Sequence, residues 1–291
     1  MPSLRDIKNR IRSVKNTQKI TRAMKLVAAA KLRRAQDSIL AARPYAVEIG
    51  SLLHRVASRA QGEEGEAPHP LLDVREPKKV LLVIMTSDRG LCGGFNSNIL
   101  RRAERFVHEH RDRFESLEIA TIGKKGRDYF RKRKVATVRD FPGVFDNLNY
   151  RRATEIAVGL SEEYVKKELD AVYLLYNEFK SAMTQRVTVE TVLPIVQEDL
   201  PVGHDIDYIY EPDQEVVLDQ LAPRYMAVEM WRALLESNAS EHGARMTAME
   251  NATNNAKDLI DSLTLKFNRA RQAAITKDLM DIVGGAEALR G

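Results

Sequence analysis

Leu4–Arg34 reads LRDIKNRIRSVKNTQKITRAMKLVAAAKLRR, and its spacing decides the fold. Alternating steps of three and four residues meet Leu4, Ile7, Ile11, Val14, Gln18, Thr21, Lys25, Ala28 and Leu32. The stride continues through Ala35, Ile39, Ala42, Ala46, Ile49, Leu53 and Val56. A mean stride of about 3.5 keeps these positions on one helix stripe, the pattern of a coiled-coil seam. Only Gln18, Thr21 and Lys25 are polar, and they fall together, so the seam is softest there. Pro44 lacks a backbone donor and is expected to kink the helix without ending it.

A second seam lies at the other end of the chain. Leu218, Leu221, Tyr225, Val228, Arg232, Leu235, Ala239, His242, Met246, Met249 and Thr253 keep the same alternation. Ala256, Ile260, Leu263, Phe267, Ala270 and Ala274 extend it. Two such seams at opposite ends of one chain can pair as an antiparallel two-helix coil. At ~1.5 Å per residue the first helix spans roughly 80 Å and the second on the order of 110 Å, so the second is expected to outrun its partner.

The middle has another rhythm. After a polar Gly/Glu/Pro linker at Ala60–Pro70, short apolar runs alternate with amphipathic ones. Lys79–Met85, Leu117–Ile122, Val135–Val138, Ala171–Tyr176 and Arg186–Val192 read as strands. Asn96–His110, Lys124–Lys132 and Tyr150–Glu168 read as helices. This order predicts a Rossmann-like α/β body with a mainly parallel sheet. The fold class is thus mixed α and β: a helix over 1–58, a central α/β domain over 71–205 and a helix over 210–291.

Composition narrows the function. Of 291 residues, 44% are hydrophobic and 30% charged, enough apolar side chain to bury a core, which excludes whole-chain disorder. The longest clean apolar run, Val80–Met85, is far short of the ~20 residues of a spanning helix. With Cys92 alone there is no intrachain disulfide and no cysteine zinc cage. Charged sequence from the start, with no apolar leader core, points to a reducing, cytoplasm-like compartment. The first 36 residues hold eleven basic residues against one acid, Asp6, although the whole chain carries only +5. So dense a basic block implies an acidic partner or a solvated helix face.

Candidate chemistry is sparse. The loop Thr86–Asn96, TSDRGLCGGFN, follows a strand and opens a helix, where phosphates often bind. It fits neither GxxxxGK[ST] nor GxGxxG, so a tight turn with positive φ is the stronger reading. Cys92 sits near a helix start that could lower a thiol pKa, but no histidine is close in sequence, and Leu91 and Phe95 suggest burial. His108 and His110 are two apart and point to different helix faces, a poor metal pair. No catalytic, cofactor-binding or metal-ligating residue is assigned. A basic helix beside a zipper also suggests a coiled-coil nucleic-acid adaptor. Against that, the apolar seam runs straight through the basic block.

Four stretches carry a family resemblance: Ile7–Arg34, Ser87–Asn96 (SDRGLCGGFN), Ser240–Asn255 (SEHGARMTAMENATNN) and Arg269–Ala286 (RARQAAITKDLMDIVGGA). Together they resemble the γ subunit of F-type ATP synthases, the central rotor shaft, over essentially the whole chain. The family's C-terminal signature usually has Glu where this chain has Asp278, which keeps the charge with a shorter reach. The inserted cysteine pair of chloroplast relatives is missing. With no transit peptide in the sequence, the resemblance implies a bacterial protein.

The resemblance further implies a non-catalytic subunit with no cofactor and no nucleic-acid partner. Its partners are the α and β subunits of the catalytic head, the ε subunit and the c-ring. It is peripheral to the cytoplasmic face of the bacterial plasma membrane. Met24 and Lys25 look like mid-shaft contacts with an acidic β-subunit lever. Arg271, Gln272 and Thr276 look like contacts with a β-subunit loop. Tyr208, Tyr210 and Glu211 resemble the foot segment that meets ε and the ring.

Overall fold

The computed structural model describes residues 3–60, 67–196, 211 and 213–288. Two long helices, α1 (Leu4–Arg59) and α5 (Gln214–Ala288), bracket a five-stranded sheet. Ser3 and Asp6 cap α1 reciprocally: Ser3 Oγ accepts from the Asp6 N–H at 3.2 Å, and Asp6 Oδ2 accepts from the Ser3 N–H at 3.1 Å. Asp213 Oδ1 accepts from the Val216 N–H at 2.9 Å and starts α5. Pro44 and Pro223 both lie inside helices that continue past them.

Contacts divide the chain into two compact units, one of residues up to Ala28 with those from Met246 onward, the other Ala29–Arg245. In the first unit the 3–4 stride is the stripe turned from water. Ile7, Thr21 and Ala28 are buried on α1, and Met249, Ala256 and Leu263 on α5. Thr21 faces Thr253 and Lys25 faces Glu250, so the two helices run antiparallel. Past Ala274 every described side chain up to Ala286 is exposed, so the unpaired stretch of α5 begins there.

In the second unit the strands are β1 (Lys79–Met85), β2 (Ser116–Ile122), β3 (Arg139–Phe141), β4 (Ala171–Phe179) and β5 (Gln185–Leu193), in the order β3-β2-β1-β4-β5. All neighbours are parallel except β4 and β5. The crossovers are α2 (Phe95–His110), α3 (Lys124–Lys132) and α4 (Tyr150–Val165). Strand β1 alternates faces. Val80, Leu82 and Ile84 pack with Ile99, Ala103 and Phe106 of α2. Leu81, Val83 and Met85 join a larger cluster with α4, α5 and Ile49, Leu53 and Val56 of α1. Both faces are thus covered, which is why β1 is an unbroken apolar run.

Two expectations are corrected. Val135–Val138 does not form a strand. Lys134 turns at φ 58° and the Val135 N–H bonds back to the Phe130 carbonyl at 3.1 Å, so Val135 closes α3. The Val138 N–H already donates to the Ile119 carbonyl of β2 at 2.9 Å, and strand pairing begins at Arg139, opposite Ala120. The second correction concerns α5 over Leu218–Arg245, which the sequence presents as a seam. There it is buried nearly all round, with Ala222, Met226, Ala233, Leu234 and Ser240 as hidden as the seam residues. In this stretch the helix is part of the α/β core, held by α1 and the sheet together.

Candidate functional site

In an open α/β sheet a ligand binds outside the carboxyl ends of the strands, where the strand order reverses. Here that switch point lies between β1 and β4. The glycine-rich loop leaves β1 at this edge, and the chain itself occupies the crevice.

On the other side of β1, over the ends of β2 and β3, an anion site is filled by Asp88, which is 8% exposed. Its Oδ1 accepts from the N–H groups of Lys124, first residue of α3, at 2.9 Å and of Gly143 at 2.8 Å. Its Oδ2 accepts from the Phe145 N–H at 3.1 Å. Three backbone donors, one at the start of α3 and two in the turn after β3, are what a phosphate would seek, and the chain supplies its own carboxylate. Asp146 stands outside, paired with Arg89 at 3.0 Å and Lys124 at 3.1 Å. The Lys124 and Arg89 bonds outweigh desolvation and lower the Asp146 carboxyl below its usual range. Gly123 is required beneath: at φ 96° an added Cβ would lie 2.1 Å from the Thr86 carbonyl oxygen.

The loop is the tight turn that the sequence favours. Leu91 (φ 62°) and Gly93 (φ 57°) take left-handed conformations. Leu91 itself points outward and is 65% exposed. Cys92 is buried, as its flanking residues suggest, with Asn96 Nδ2 3.2 Å from its sulfur. Burial pushes its thiol pKa up despite the nearby helix start. A raised pKa and a closed environment leave no activated nucleophile.

Helix α5 closes the crevice. Ser240 Oγ donates to the Asn177 carbonyl of β4 at 2.9 Å. A Cβ on Gly243 would come within 3.2 Å of the Ala182 backbone, so the helix and the turn after β4 touch closely. Arg245 Nη2 donates to the Gly90 and Arg89 carbonyls at 3.1 and 3.3 Å. Its Nη1 pairs with buried Glu241 at 2.6 Å. Burial raises the Glu241 pKa against the pull of Arg245. Burial, then the charges of Arg245 and Lys31, push the His242 imidazole down to about 4. The Ser240–Arg245 segment was legible as a sequence stretch, but its place in the crevice was not. Among the described residues no group of three or more His, Cys, Asp or Glu could hold a metal ion, and no helix is long and apolar enough to cross a membrane.

The proposed shaft contacts lie on the two-helix unit. Met24 and Lys25 are half-buried. Lys25 Nζ is 2.6 Å from Glu250 Oε1, a pairing that the contact assignment left out. Arg271, Gln272 and Thr276 are exposed on α5, as is Asp278. Tyr208 and Tyr210 lie outside the described residues, and Glu211 is exposed.

The family model described as ATP synthase matches residues 3–289. The ATP synthase gamma chain of Anaeromyxobacter sp. (strain Fw109-5) is 57% identical over 291 residues, covering all of both chains. That of Geobacter metallireducens is 49% identical over 292 residues, again covering all of both. A chain in the cryo-EM structure of the Tetrahymena thermophila mitochondrial ATP synthase central stalk/c-ring is 29% identical with a TM-score of 0.60, covering 80% of this chain and 99% of that one. A chain of the Euglena gracilis mitochondrial ATP synthase rotor, 18% identical, shares the fold at a TM-score of 0.64 over 94% of this chain and 98% of that one. Matching along its whole length at such identity, the chain belongs to the ATP synthase gamma chain family.

Proposed function

We propose that this chain works as the central-stalk rotor of a proton-translocating ATP synthase and does no chemistry of its own. Rotation of a membrane c-ring turns the shaft, and the shaft drives the catalytic β subunits through their binding states. The observation that carries the reading is full-length identity of 57% to a named gamma chain. The crevice geometry agrees with it, because α5 takes up the switch-point crevice where a nucleotide would bind, held to β4 by Ser240 and to the loop after β1 by Arg245. The relatives give no support to the nucleic-acid adaptor.

The partners follow from the same reading: the α and β subunits around the shaft, with ε and the c-ring at the foot, on the cytoplasmic face of a bacterial membrane. Met24 and Lys25 meet the acidic β lever. Arg271, Gln272 and Thr276 meet a β loop. Tyr208, Tyr210 and Glu211 contact ε and the ring. Basic residues suit moving contacts, since exposed ion pairs are worth only ~0–1 kcal/mol net and break easily.

The test is purification under native conditions. The rotor reading expects co-elution with a large ATPase and no ATP binding by the isolated chain. Elution with nucleic acid, or tight ATP binding by this chain, overturns it.

A further inference from the structure

We propose that the turns of α5 from Arg232 to Arg245 form the torsional joint by which the α/β body grips the C-terminal helix, with Arg232 and Arg245 as its positioning residues. This rests on the rotor reading and deepens it.

The joint has attachments on three separate elements. Arg232 reaches the β4–β5 pair: Nη2 is 2.6 Å from Glu190 Oε1, and Nη1 donates to the Tyr176 hydroxyl at 3.1 Å. The Tyr176 hydroxyl itself donates to Glu190 Oε2 at 2.8 Å, which ties the strand pair into the same knot. About two turns on, Ser240 holds the Asn177 carbonyl, and Gly243 lets α5 meet the backbone at Ala182. Arg245 then grips the loop after β1 by two backbone carbonyls.

The chemistry of these contacts matters more than their number. Apolar burial is non-directional, so a greasy helix face tolerates rotation and sliding. Hydrogen bonds to a sheet and to a backbone-anchored loop are directional, and charge-assisted ones are the strong kind. Three attachments spaced over four turns, on β4–β5, the turn after β4 and the β1 loop, resist twisting of α5 about its own axis. Adhesion alone needs none of them, since Met226, Met230, Ala233 and Leu234 already bury the helix. Arg232 also gathers Glu229 at 2.7 Å and Glu236 at 3.3 Å, so its guanidinium is fixed from the helix side as well. Helix α5 is continuous through Arg245 into the two-helix unit, so a twist held at the joint is carried along it.

The experiment uses the assembled ATP synthase carrying Arg245→Gln or Arg232→Gln, with a probe on the shaft read by single-molecule rotation under load. Torsional stiffness is expected to fall about twofold or more when these directional bonds go. ATP-driven proton pumping against an imposed gradient should drop about threefold, with unloaded ATPase within about twofold. Parent stiffness and parent loaded pumping in both variants overturn the joint. A complex from which the unaltered chain is absent overturns the rotor reading instead. If a glutamine variant fails to assemble, a second arm carries Gly90→Cys with Arg245→Cys and Cys92→Ala, bridged by a short bifunctional thiol reagent. Stiffness restored by the bridge supports the joint, and stiffness equal with and without it overturns the joint.

Discussion

The hydroxyls of Thr21 and Thr253, 232 positions apart in sequence, lie 2.8 Å from each other in the two-helix unit. One hydroxyl donates to the other, and the one that does not donate across gives its proton to a carbonyl of its own helix, Gln18 at 3.1 Å for Thr21 or Met249 at 2.7 Å for Thr253. The two polar seam positions therefore satisfy one another at a part-buried spot, and the soft point of the seam becomes a register mark. Thr21→Val alone or Thr253→Val alone is expected to cost about 1 kcal/mol, because the remaining hydroxyl loses its partner. The double variant should recover most of that. Thermal dissociation of the assembled complex measures all three, and strictly additive losses would contradict the pairing.

Lys25 is claimed twice, by Glu250 within the chain and by the proposed acidic β lever. Glu250→Gln frees it, and should lengthen one rotary dwell and slow ATPase about two- to fivefold, reversibly with salt. Adding Lys25→Gln should restore the parent rate. Silence of both changes removes the lever contact from this position.

Asp88 should be replaceable in part by an anion. Asp88→Ala strands three backbone N–H groups that now bond to a carboxylate, at ~1.5–3 kcal/mol each, so a loss of about 3 kcal/mol or more is expected. Sulfate or phosphate should raise the variant's melting temperature more than chloride at equal ionic strength. An equal response to all three salts would show that the pocket is not an anion site.

His242 makes stability fall in acid. Its pKa drops from 6.5 to about 4 on folding, so between those values the unfolded chain holds a proton that the folded chain does not. Stability is then lost as pH falls through that window, by at most about 3 kcal/mol. Glu241, with its pKa raised by burial, acts in the opposite sense. His242→Gln should flatten the decline between pH 6.5 and about 4.5, read as melting temperature against pH. An unchanged slope would assign the acid sensitivity to other groups.

Truncation from Asp281 should leave the chain's own fold intact. Ile282 and Val283 are 67% and 59% exposed and hold nothing in place. If the bearing around them is formed by other subunits, the complex should still assemble and turn over, with a lower thermal midpoint. Changing Arg271, Gln272 and Thr276 together should slow ATPase more than it lowers complex yield. Abolished turnover in the truncation beside a silent triple variant would reverse this division of labour.

The sequence by itself determined which residues of α1 turn from water and which runs become strands. It did so because helix and strand periods are local: the neighbours of Ile7 or Val83 at three, four or two residues' distance already say which way each points. The family was legible in the same way, from contiguous stretches. Only the tertiary structure decided that Thr21 meets Thr253 and that Lys25 meets Glu250, since no local period reports a pairing across the chain. It decided too that Val135 would bond back to Phe130 and close α3, so that strand pairing begins at Arg139 despite the β propensity of Val135–Val138. The largest gap lay in Leu218–Arg245. Its 3–4 stripe reads as a seam, yet packing against α1 and the sheet at once buries it almost all round and carries Ser240 and Arg245 into the ligand crevice. A stripe says which side of a helix is apolar, and it takes the packing of three elements to fix how many sides are covered.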